Sequence, residues 1–83
     1  MSAGDHPIVR IALGHLRKDS EKGLSLTSKG ADSVRGVLET LRGTAAFNLA
    51  VMHIARLAYV LSEASPQSAA PDQLLDIAEQ LAA

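Results

Sequence analysis

The chain has 83 residues, enough for one domain with a small core, since a chain of about 60 residues buries only roughly 60% of its unfolded surface. An apolar fraction of 47% and a formal net charge of −1 place it in the globular range and outside the disordered regime. With no cysteine, disulfides, thiolate metal sites and cysteine nucleophiles are excluded.

The apolar set is mainly Ala, Leu, Val and Ile, with one Phe, one Tyr and no Trp. Aromatics bury the most area per side chain, so this core is assembled from many small contributions. Self-association would add buried area, and a homodimer is expected. A chain of this size without disulfides points to a reducing cytoplasm. The stretch M-S-A-G-D-H-P lacks the basic and apolar regions of a secretory signal, which agrees with a cytoplasmic location.

In chain order, residues 1–6 read as a disordered tail. Pro7 suits the first position of a helix, where its missing N–H costs nothing. Ile8, Val9, Ala12, Leu13 and Leu16 then share one side, with Arg10, Gly14, Arg17 and Lys18 on the other, which predicts a helix over residues 7–18. Ile11 does not fit that pattern, and the β-branched I-V-R-I makes a strand within residues 8–13 the rival. Residues 19–30, with two Gly, three Ser and mixed charges, mark a loop. Within it Leu24 and Leu26 alternate with Ser25 and Thr27. The alternative is therefore a short extended segment over 24–27 with its leucines on the core, after which Thr27 or Ser28 leads into the next helix.

Residues 31–42 form an amphipathic helix with Val34, Val37, Leu38 and Leu41 inward and Asp32, Arg35, Glu39 and Arg42 outward. Asp32 near its start and Arg42 near its end suit the helix dipole. Gly43 follows in the position of a C-terminal cap, and Thr44 is placed to cap the next helix. Phase tests whether the helix breaks there. At about 100° per residue, Val34, Leu38 and Leu41 point the same way as Asn48, Met52 and Tyr59. The densest apolar side of the following segment is instead Phe47, Val51, Ile54, Ala58 and Leu61. One straight helix would have to bury opposite sides in its two halves, so a break at Gly43 is expected. The alternative is a single helix over 31–63, roughly 50 Å long at about 1.5 Å per residue, which would need a partner chain to cover it.

Residues 44–63 are the most apolar part of the chain and form its central helix. Phe47, Val51, Ile54, Leu57 and Leu61 are the candidates for core or interface. Asn48, Met52, Arg56 and Tyr59, continuing to Glu63, make a second, mixed side that faces solvent or a partner. The stretch approaches membrane-span length, but a central Arg costs about 2.5–3.5 kcal/mol on insertion scales. With Asn48, His53 and Arg56 inside it, a core helix is expected and no membrane partner. Residues 64–70, containing Pro66, are a linker. Pro71 opens a last helix over 71–82, with Leu74, Ile77, Ala78 and Leu81 as its stripe and Asp72 in the first turn. The expectation is an all-α domain spanning 1–83, a small bundle of three to four helices at about 7–18, 31–42, 44–63 and 71–82.

Chemistry-bearing patterns are sparse. His6 and His53 have no His, Asp or Glu at the three- or four-residue spacing of a helical metal pair, and His15 has Asp19 alone. The carboxylates are scattered, and Asp72, Asp76 and Glu79 form a solvated face. No G-x-S-x-G surrounds a serine, and K-G-L-S-L-T-S-K-G lacks the order of a phosphate loop. No enzymatic activity, cofactor or metal is expected. The N-terminal half is mildly basic, and Arg10, Arg17, Lys18 and Lys22 are the candidate nucleic-acid contacts, without the dense one-sided excess such binders usually carry.

Residues 24–38, L-S-L-T-S-K-G-A-D-S-V-R-G-V-L, resemble the wing-to-helix passage of winged-helix transcription regulators. There a strand ending in Leu-Thr, two variable residues and Gly leads into a C-terminal helix; Leu26, Thr27 and Gly30 match. The resemblance covers about a fifth of the chain. It departs from the family upstream, where a helix-turn-helix belongs and residues 7–20 have room for one helix, so no DNA contacts are carried over. The function expected is protein–protein interaction through buried helix faces, as an adaptor, inhibitor or self-associating module. The alternative is a small DNA-linked transcription regulator.

Overall fold

The computed structural model describes residues 6–19 and 23–82. Four helices, α1 (Pro7–Leu13), α2 (Ser28–Leu41), α3 (Ala45–Ala64) and α4 (Ala70–Ala82), pack as a small all-α bundle. Strands β1 (Leu16–Asp19) and β2 (Gly23–Leu26) are inserted between α1 and α2. The expected tail at 1–6 and the candidate contact Lys22 fall largely or wholly outside the described residues.

Helix α1 starts as its sequence implies, with Pro7 at its first position and the His6 Nδ1 accepting the Ile8 N–H at 3.1 Å. It ends after Leu13 rather than at residue 18. The Gly14 N–H closes the last turn on the Arg10 carbonyl at 2.9 Å, and the His15 N–H turns back to Ala12. Residues 16–19 then pair antiparallel with 23–26, in the register Leu16↔Leu26, Arg17↔Ser25, Lys18↔Leu24 and Asp19↔Gly23. Leu16 misleads because it lies four residues after Ala12, fitting a helical stripe, while also fitting the inward side of a strand. The extended alternative for 24–27 is the one observed, with Leu26 buried and Leu24 packed against the core.

The outer edge of β2 is closed by side chains from far along the chain. The Leu24 N–H donates to the Ser68 Oγ at 2.9 Å and the Leu26 N–H to the Gln73 Oε1 at 2.7 Å. An exposed strand edge is a row of unpaired backbone groups; here α4 and the loop before it supply the acceptors.

Thr27 is the N-cap of α2, its Oγ1 accepting the Gly30 N–H at 3.0 Å. Gly30 is buried, and a Cβ there would lie 2.4 Å from the His15 Cβ, closer than atoms can approach. The Leu26-Thr27-x-x-Gly30 pattern is thus explained locally: Leu26 anchors the core, Thr27 caps, and Gly30 lets the helix start lie against the α1–β1 turn. Because α2 begins at Ser28, Asp32 is past its first turn and instead pairs with Arg35 at 3.6 Å on the surface.

The helix breaks at Gly43, whose φ of +85° is a left-handed conformation suited to glycine. Thr44 is the N-cap of α3 by position, but its hydroxyl donates to the Leu41 carbonyl at 2.6 Å instead of capping α3. The turn brings the out-of-phase stripes of α2 and α3 onto one core. Val34 and Leu38 meet Phe47, Ala50, Ile54, Leu57 and Leu61, while Val51, Val37 and Leu41 are partly buried around them. Ile8 and Ala12 close one end, and Ala70, Leu74, Ile77 and Ala78 of α4 cover the rest. Helix α3 touches α1, α2 and α4, and α2 likewise touches the other three helices.

Gln73→Ala should remove the acceptor for the Leu26 N–H and leave it without a protein partner. We expect a loss of about 1–3 kcal/mol in urea unfolding, with the hairpin amides showing the largest gain in hydrogen exchange.

Candidate interaction surface

The core covers only one side of α3. Its outward positions Ala45, Leu49, Met52, Arg56, Tyr59 and Glu63 are all exposed. They alternate four and three residues apart, which is the spacing of a coiled-coil seam. Leu49, Met52, Tyr59 and Val60 are between 46% and 66% exposed, a large apolar outlay for one helix of a small domain. Beside the seam an open groove of about 440 Å³ runs between the helices, with Ala55, Tyr59 and Ser62 on the α3 wall and Pro71, Asp72 and Leu75 on the α4 wall. Leu75 is itself exposed.

The seam's polar groups are arranged along the same line. The Tyr59 Oη donates to the Glu63 Oε1 at 2.8 Å, holding ring and carboxylate together one turn apart. Among the described residues Arg56 has no hydrogen-bond or ion-pair partner. Asn48 is exposed at the edge of the seam. The mixed side of Asn48, Met52, Arg56 and Tyr59 is therefore outward, as its phase predicts, and Phe47, Ile54, Leu57 and Leu61 are inward. Leu49, Val60 and Leu75 enlarge the outward patch beyond what the sequence suggested. The heptad spacing through Leu49 carried the signal, whereas Leu75 joins only because α4 packs beside α3.

The basic candidates do not converge as well. Arg10 is exposed on α1, and Arg17 and Lys18 are exposed on β1. As neighbours on a strand, Arg17 and Lys18 point to opposite faces of the hairpin. His6 and His53 do come together, their rings 5.3 Å apart and tilted by 34°, a contact across 47 positions that no local spacing reveals. With the His6 Nδ1 accepting the Ile8 N–H, that nitrogen is occupied. Among the described residues no group of three or more His, Cys, Asp or Glu gathers where a metal could sit. The groove contains one carboxylate, Asp72, and no second acid or base opposite it.

By length and composition α3 would suffice to cross a membrane, as an apolar core helix also does. The chain matches no protein-family model, no curated protein and no solved structure.

The two sides of α3 should respond differently to truncation. Ile54→Ala, at a fully buried position, should cost about 2–4 kcal/mol in urea unfolding. Met52→Ser on the outer seam should change the stability of the isolated chain by less than about 0.5 kcal/mol.

Proposed function

We propose that the domain is a helical assembly module that self-associates through the outer seam of α3. The observation carrying this reading is the exposure of Leu49, Met52, Tyr59 and Val60 along one side of a helix whose opposite side already fills the core. Helices with two apolar sides bury both in their working state. The 83 residues and the near absence of aromatics leave the fold little else with which to cover the second side. Asn48, Arg56 and Glu63 along the seam favour a protein partner over lipid, where each would be costly. No cofactor or catalytic step is part of this function. Its site of action is the cytoplasm, in line with a cysteine-free chain.

Sedimentation equilibrium should give twice the chain mass of 8.7 kDa at micromolar concentration. Met52→Glu should return the monomer with its helical circular dichroism intact. A wild-type chain that stays monomeric throughout would reject the reading.

A second reading is DNA-linked regulation, favoured by the hairpin that leads through Leu26, Thr27 and Gly30 into α2. On that reading one face of the hairpin, through Arg17 or Lys18, would contact backbone phosphates. Binding to a duplex at low salt should then weaken steeply as salt rises and disappear in the Arg17→Glu/Lys18→Glu variant. Absence of binding at low salt rejects it.

A further inference from the structure

We infer that the partner of α3 is a second copy of this chain lying antiparallel, with Arg56 of each copy set on the Tyr59 ring and Glu63 carboxylate of the other; the inference rests on the outer seam being the assembly surface. The exposed seam is complementary to itself in charge. Tyr59 and Glu63 are joined by their 2.8 Å hydrogen bond, so an aromatic face and an anion sit side by side on the exposed seam. That pairing is a receptor for a guanidinium, which favours both an aromatic face and a carboxylate. The same seam carries an arginine, Arg56, with no partner among the described residues. It is one turn from Tyr59 on its own helix, and among the described residues no hydrogen bond or ring contact joins the two.

Orientation follows from the spacing. Arg56 and Glu63 are seven residues apart and occupy equivalent positions of the seam. A parallel pair would set Arg56 against Arg56 and Glu63 against Glu63, opposing like charges twice. An antiparallel pair brings Arg56 level with Tyr59 of the partner subunit, and Glu63 of the partner subunit lies one turn beyond, within reach of a long guanidinium side chain. The two-fold axis then falls between Arg56 and Tyr59, and each contact is made twice, as an isologous interface requires. The same register sets Met52 level with Glu63 of the partner subunit, next to the groove edged by Pro71 and Leu75, which a flexible thioether can fill. A foreign helix would need only the arginine or only its receptor. This seam carries both, which is what a surface complementary to itself must do.

The test is sedimentation equilibrium of the full chain at low salt for wild type, Arg56→Glu, Glu63→Arg, the double exchange, and an equimolar mixture of the two single variants. All positions are exposed, so folding is unaffected, and circular dichroism checks this. Each single exchange should raise the dimer dissociation constant roughly ten-fold or more. The double exchange and the mixture should both return it to within about three-fold of wild type. Single exchanges without effect, or a double exchange that fails to restore association, overturn the antiparallel geometry while leaving a Met52→Glu-sensitive dimer as support for the assembly surface. A wild-type chain that does not associate overturns both.

Discussion

Helix α3 imposes the constraint from which the other features follow. It has twenty residues and apolar side chains on both sides, while among the described residues three shorter helices and one pair of strands are available to cover it. Apolar burial is the main favourable term in folding and is roughly proportional to area. The best the remaining elements can do is surround one side of α3 completely. Phe47, Ala50, Ile54, Leu57, Ala58 and Leu61 are all buried as a result. The other side stays outward with Leu49, Met52, Tyr59 and Val60.

The hairpin shows how the small core is enlarged. Leu24 and Leu26 add apolar area, but a two-stranded sheet on its own is marginal in water. It persists here because Ser68 and Gln73 accept its outer N–H groups and because Gly30 allows α2 to start directly against the α1–β1 turn. The hairpin and α4 therefore depend on one another. Helix α4 is short for an isolated helix and needs docking to persist, and the strand it docks against needs the acceptors that α4 brings.

The break at Gly43 was legible in the sequence because it is a matter of phase. Val34 and Leu38 point away from Phe47 and Ile54 on any continuous helix, and geometry alone forbids one core from using both. The hairpin was not legible in the same way. Leu16 satisfies a helical and an extended pattern equally, and what decides between them is pairing with Leu26 and support from residues 44 and 47 positions away. The proximity of His6 to His53 has the same origin.

By itself the sequence determined the helical class, the two-sided character of α3 and the inward stripes of α2 and α4. These are properties of periodicity and residue type, which act within a few turns. Only the tertiary structure decided where α1 stops, that residues 16–19 pair with residues 23–26, that Tyr59 hydrogen-bonds Glu63 on a seam where Arg56 has no partner among the described residues, and that Leu75 lies beside the α3 seam. Each of those depends on backbone groups finding partners, or on helices settling side by side, across separations that no local pattern encodes.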